Sequence, residues 1–264
     1  MSRDADPGVR ALARLDAITR RLRLECPWDR EQDERTIVPH TVEEAYELAD
    51  AAHRGDDAKL IDELGDVLFQ VHFLSLLLEE RGAGSLAEVA EHCAEKLIRR
   101  HPHVFGSEQA DNAAQVLASW DRIKAGEAGR EPGIFGEVPE NLPAPLYARK
   151  VQRRAASSGF DFEGIDGPLQ AVRDELDELE AAEDAAARFH EVGDVLFAVV
   201  NVARKLRVDP ELALRAASDR FRGRVSSGAR LAATEGRDWN ELSAGEQLAY
   251  YAAARLSDQH EPER

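Results

Sequence analysis

The stretch TVEEAYELADAAHRGDDAKLIDELGDVLFQ, residues 41–70, decides how this chain is read. It sets Glu43, Glu44 and Glu47 ahead of a turn at Gly55, then Glu63 and Asp66 at the head of an apolar run. Residues three or four apart share a helix face, so Glu44 and Glu47 form one acidic pair and Glu63 and Asp66 another. Gly55 and the GDDAK segment supply a turn that makes the two helices antiparallel neighbours, their pairs facing across a small gap. Converging carboxylates raise one another's pKa unless a counterion is present. A hard divalent cation removes that repulsion, and an all-oxygen ligand set suits Mg2+ or Mn2+. The competing reading is an ordinary solvated helix face, on which a lone E-x-x-E has no meaning.

Two features favour the ligand cage. The acids at 63–66 run straight into a strongly apolar helix, which places them near a core. The constellation also occurs twice. ELGDVLFQVHFLS (63–75) aligns with EVGDVLFAVVNVA (191–203), seven of the thirteen positions being identical. Upstream, VEEAYEL (42–48) aligns with RDELDEL (173–179), so Glu44 matches Glu175 and Glu47 matches Glu178. Glu175, Glu178, Glu191 and Asp194 then repeat the first set. Two related helical halves follow; the alternative is a chance match of two amphipathic helices.

Helical periodicity covers most of the chain beyond these segments: 9–23, 86–100, 114–125, 145–158, 169–183, 187–206 and 210–225. Alternating strand patterns of useful length are absent. The expected class is all-α, in two tandem helical-bundle domains at 8–124 and 145–250. Between them lies a Gly-, Pro- and Glu-rich linker at 125–144, and residues 251–264 read as a tail.

The composition narrows the function. Lys and Arg number 34 against 51 Asp and Glu, a net charge of −17, and such a field disfavours binding to nucleic acid or an anionic membrane. It still admits an anionic small ligand, because a bound cation reverses the local sign. The opening MSRDADPGVRALARLD has no apolar core of signal-peptide length. The longest apolar run, 67–78, is broken by Gln70, His72 and Ser75 and falls short of the ~20 residues that cross a bilayer. Cys26 and Cys93 have no metal-ligand spacing. A reduced cytoplasmic protein is the expectation.

Mg2+ held by carboxylates is commonly the partner of substrate phosphates. Cations for a phosphate tail are then needed. Lys96, Arg99 and Arg100 offer them in the first half, and Arg220, Arg222 and Arg224 in the second; a surface role is the competing reading at each. His101 and His103 read as loop or cap elements rather than ligands. Trp28, Phe105 and Trp120 are candidates to stack on a base, with core packing the preferred role for each.

These segments together resemble the MazG family of nucleoside triphosphate pyrophosphohydrolases. The resemblance rests on CPWDREQ (26–32), EEAYEL (43–48), ELGDVLFQV (63–71) and EKLIRRHPHVFG (95–106). It continues through SWDRIKAGE (119–127), VQRRAASSGFDF (151–162), EVGDVLFAVVNVAR (191–204) and DPELALRAASDRF (209–221). It runs in order over residues 10 to 225. It implies tandem MazG-like domains, a homodimer, and Mg2+-dependent hydrolysis of nucleoside triphosphates to monophosphate and pyrophosphate. The family signature, E-E-x-x-E followed by E-x-x-D, implies metal ligands at Glu44, Glu47, Glu63 and Asp66, and at Glu175, Glu178, Glu191 and Asp194. Glu43 would orient or deprotonate the attacking water. Lys96, Arg99, Arg100, Arg220 and Arg224 would contact phosphate. The second half departs from the pattern at Asp174, one methylene shorter than Glu, and at Gly223, expected to loosen its helix. An active first half is therefore expected, with a second half that binds metal and for which catalysis stays open. A narrower dNTP or dUTP pyrophosphatase is the alternative enzyme, and a nucleotide-binding regulatory module the alternative outside catalysis.

Overall fold

A computed structural model describes residues 6–113 and 141–258, with positions 115, 116, 119, 120, 123, 133–136, 138 and 139 between them. Among the described residues there are helices and no strands, as the periodicity requires. No described helix is long and apolar enough to cross a membrane. The chain divides into two compact units, Met1–Ala128 and Gly129–Arg264. Much of the helix expected at 114–125 and half of the linker expected at 125–144 fall outside the described residues.

The first unit holds α1 (Pro7–Glu25), α2 (Pro27–Glu31), α3 (Glu34–Arg54), α4 (Asp57–Glu80), α5 (Leu86–Arg100) and α6 (Pro102–Phe105). Helix α3 starts well upstream of Thr41. Asp33 caps it by accepting from the backbone N–H groups of Arg35 and Thr36, and the Thr36 hydroxyl accepts from the Asp33 N–H. It ends at Gly55, whose φ of 68° is the left-handed conformation that glycine adopts without a Cβ clash. Only Gly55 and Asp56 then separate α3 from α4, so the two fold back as a helical hairpin. Helix α4 is the spine of the unit and packs on α1, α3 and α5. Its Phe73 is wholly buried and forms the core with Ile37 and Leu77.

The CPWDREQ segment is fastened to this spine by one side chain. Arg23 of α1 donates to the carbonyls of Asp29 (2.5 Å) and Gln32 (2.9 Å) and grips both carboxylate oxygens of Glu80 at 2.8 Å. Its guanidinium also stands 5.8 Å from the Phe73 ring centre.

The second unit holds α7 (Ala144–Ser157), α8 (Asp166–Ala181), α9 (Ala185–Lys205), α10 (Pro210–Thr234), a 3-10 turn at Trp239–Glu241 and α11 (Ala244–Asp258). Here α9 is the spine, packing on α7, α8 and α10. The order α7, α8, α9, α10 thus repeats the packing of α1, α3, α4, α5, the arrangement that the internal sequence match suggests. Two expectations are corrected. Helix α10 runs unbroken through Gly223 and on to Thr234, well past the expected end at 225. Residues 251–258 belong to α11 rather than to a tail.

Candidate active site

Each spine helix presents its acids to the helix before it. In the first unit, carboxylate oxygens of Glu44, Glu63 and Asp66 lie within 4.8 Å of one another. Glu63 is 1 % exposed, Glu44 half-buried and Asp66 exposed. Burial first, then the charges of Asp66, Glu47 and Glu63, push the Glu44 carboxyl above its usual range. Glu47 shares the helix face but is not one of the three. It is exposed, and the Lys59 ammonium lies 3.9 Å from its carboxylate.

Lys59 was not recognised as a site residue from sequence. Its ammonium lies against Oε1 of the buried Glu63 and 3.5 Å from Asp62. The contact with Glu63 is an ion pair without hydrogen-bond angles, and that oxygen has no hydrogen-bond donor. Glu63 chiefly, with Asp62, raises the Lys59 ammonium to about 12. The i, i+4 spacing of Lys59 and Glu63 was the available signal.

In the second unit, carboxylate oxygens of Glu175, Glu178 and Glu191 lie within 4.8 Å of one another. Glu178, the counterpart of Glu47, is here inside the group. Asp194 is outside it, yet close enough to act on Glu175. Partial burial first, then Asp194, Glu178, Glu191 and Asp174, raise the Glu175 carboxyl. The position equivalent to Lys59 is Ala187.

A cavity of about 510 Å³ opens beside this second cluster, within the range of small-molecule sites. Glu175 and Asp194 stand on its wall. The rest is largely apolar, with Phe160, Phe162 and Phe197 prominent and Asn201 and Arg204 as polar points. The Phe160–Phe162 loop is fixed by Asp161, which accepts from both Arg204 and Lys205 of α9. Arg204 first, with Lys205, holds the Asp161 carboxyl down at about 2. Buried Gln152 of α7 donates to the Phe197 carbonyl at 2.7 Å and secures another wall. Of the cavity residues only Glu175 and Asp194 were singled out as site residues from sequence, because α7, the loop, α8 and α9 each supply a part.

The remaining candidates are more scattered. Glu43 is exposed and faces His40 at 3.8 Å, outside the three-carboxylate group. Lys96, Arg99 and Arg100 lie on the last turns of α5, which packs on α4; Arg100 stands 5.9 Å from the Trp120 ring centre. Arg220 and Arg224 lie on α10, which packs on α9. His101 caps α5, its Nδ1 2.6 Å from the Leu97 carbonyl. Trp28 and Phe105 are not core residues: both are exposed, Trp28 resting edge-on against His40.

Residues 32–105 match the family model described as the MazG nucleotide pyrophosphohydrolase domain. The chain is 40% identical over 233 residues to the nucleoside triphosphate pyrophosphohydrolase of Escherichia coli (strain K12), a match covering 84% of this chain and 89% of that one. It is 38% identical over 235 residues to the nucleoside triphosphate pyrophosphohydrolase/pyrophosphatase MazG of Thermotoga maritima, covering 89% and 91%. The nucleoside triphosphate pyrophosphohydrolase of Mycobacterium tuberculosis is 32% identical over 181 residues, covering 68% and 52%. Likeness at this level over most of the chain, on an all-α fold with a carboxylate cluster in each unit, leads to one conclusion: the chain belongs to the MazG family of nucleotide pyrophosphohydrolases.

Proposed function

We propose that the protein hydrolyses nucleoside triphosphates to the monophosphate and pyrophosphate, with Mg2+, or Mn2+ in its place, held at the carboxylate clusters. The observation that carries this reading is the placing of Glu175 and Asp194 on the wall of a largely apolar and aromatic cavity with a few polar points. A nucleoside needs an apolar slot with few polar points; its triphosphate needs a divalent cation at the mouth. Glu175, Glu178, Glu191 and Asp194 would hold that ion in the second unit, and Glu44, Glu47, Glu63 and Asp66 in the first. The donor set fits a hard cation, since every ligand is a carboxylate oxygen. A metal so held neutralises phosphate charge and lowers the pKa of a bound water.

The chain's own residues supply the rest of the chemistry. Water adds across one phosphoric anhydride bond, and its proton passes to a carboxylate. Glu43 and Asp174, each beside the first ligand of its cluster, serve to orient that water. Lys96, Arg99 and Arg100, and Arg220 and Arg224, are the groups that would offset charge on the leaving pyrophosphate. The departures at Asp174 and Gly223 favoured the first unit as the active one. The cavity and the unbroken α10 favour the second, and we place turnover there.

We further propose a homodimer. Ile61, Leu64, Leu68 and Val71 form an exposed apolar stripe along α4, and Phe189, Val192, Leu196 and Val199 form its equivalent along α9. Two such stripes on spine helices suit a second copy better than water. Nucleotide-pool housecleaning fits a broad nucleotide preference, whereas a dUTP-restricted enzyme fits a narrow one. Incubation with each NTP and dNTP plus Mg2+, measuring pyrophosphate and orthophosphate separately, tests the proposal. Pyrophosphate and monophosphate are expected in equal amounts. Folded protein that binds nucleotide but releases no pyrophosphate would leave a regulatory module instead.

A further inference from the structure

The two carboxylate clusters differ in one respect that their shared signature does not disclose. In the first, a lysine of the same chain already touches the buried acid. Glu63 is 1 % exposed, and a buried carboxylate needs a counterion. Lys59 lies one helical turn before it, its ammonium against Oε1 of Glu63 and 3.9 Å from Oε2 of Glu47. On a bare helix, lysine preceding glutamate is the weaker of the two i, i+4 orders. The burial of Glu63, rather than the helix surface, is what holds the contact.

The consequence is visible in the ligand geometry. Glu47 stays with Lys59 and outside the three-carboxylate group of the first unit. Its counterpart Glu178 is inside the group of the second, where Ala187 replaces the lysine. Lys59 therefore engages two of the four acids that the signature would give to a metal.

We propose that Lys59 is a built-in cation of the first cluster, occupying Glu63 and Glu47 in competition with a divalent ion, so that the two halves take up metal with unequal affinity. This rests on the metal-binding role given above to both clusters. The first half keeps its buried acid neutralised without metal. The second half depends on metal, and its occupancy follows the free ion concentration.

The test is Mn2+ binding to the full-length protein, followed by the electron paramagnetic resonance signal of free Mn2+, with circular dichroism to confirm folding. In a Glu178→Gln/Glu191→Gln background only the first cluster remains, and adding Lys59→Met is expected to tighten its Mn2+ affinity by about tenfold. The reciprocal change, Ala187→Lys in the otherwise natural chain, restores the i, i+4 partner to Glu191 and is expected to weaken the second site by about tenfold. Should Lys59→Met fail to fold, the Ala187→Lys arm decides alone. Folded variants with affinities within about twofold of their parents would overturn the competition, while leaving metal binding intact. Absence of Mn2+ binding at either cluster in every variant would remove the metal reading itself, and this inference with it.

Discussion

Carboxylate oxygens of Glu44 and Glu63 lie within 4.8 Å of each other across the α3–α4 hairpin. Their proximity has a measurable cost when no cation is bound. The Glu44 carboxyl is raised by burial and by its acidic neighbours, as is that of Glu175. A carboxyl raised in the folded state contributes stability at and below its unfolded value, and loses it as pH rises through the folded one. In metal-free buffer, Glu44→Gln is therefore expected to melt about 1–3 °C above the natural chain at neutral pH. The gap should close as pH falls toward 4.5, and Mg2+ should stabilise the natural chain more than the variant. Calorimetry across this range, with and without Mg2+, checks all three.

Asp161 has the opposite sign. Arg204 and Lys205 hold its carboxyl at about 2, against an ordinary value of 3.8. Its contribution is present above pH 3.8 and lost as pH falls through about 2. Asp161→Asn is expected to cost about 1–2 kcal/mol near neutral pH, a penalty that narrows below pH 4. Urea unfolding at pH 6 and pH 3 measures it. Because Asp161 also secures the Phe160–Phe162 loop, KM for nucleotide should rise in the same variant.

Arg23 ties CPWDREQ to α4 through two carbonyls and both oxygens of Glu80. A lysine cannot reproduce that planar fork. Arg23→Lys is expected to lose about 1–3 kcal/mol, and Arg23→Ala more, because Glu80 and the two carbonyls lose their donors. Chemical denaturation of the two variants gives the ranking.

Leu196 is 61 % exposed on α9. Leu196→Glu should leave helicity unchanged while shifting the proposed dimer toward monomer, an outcome read by sedimentation velocity. Addition of Leu68→Glu on the equivalent stripe should complete the shift.

The helices and the two acidic clusters were legible in the sequence because each depends on spacing within one or two neighbouring segments. E-x-x-E and E-x-x-D fix which side chains share a face, and Gly55 fixes where the chain turns. What escaped depends on contacts between distant segments. The α10 extension contains Ser226, Ser227 and Gly228, which are weaker helix formers than Ala or Leu. Gly228 is buried where α10 crosses α11: a Cβ there would come within 3.3 Å of the Tyr250–Tyr251 backbone. Tertiary packing, not propensity, sustains that turn of helix. The cavity was hidden for the same reason, its wall being shared among α7, the Phe160–Phe162 loop, α8 and α9. Lys59 was hidden differently: it lies in the GDDAK segment read as a turn, and its i, i+4 spacing to Glu63 gains meaning from the burial of that acid.

By the reading proposed above, the carboxylates beside the cavity of the second unit support pyrophosphate release. The most direct test of that reading is the rate of pyrophosphate formation, at saturating nucleotide and Mg2+, in Glu175→Gln and Glu44→Gln. Glu175→Gln is expected to lose at least ~100-fold in kcat, with Glu44→Gln retaining most of its activity. A Glu175→Gln protein that turns over nucleotide as fast as the natural chain, while Glu44→Gln does not, would contradict the assignment and move the chemistry to the first unit.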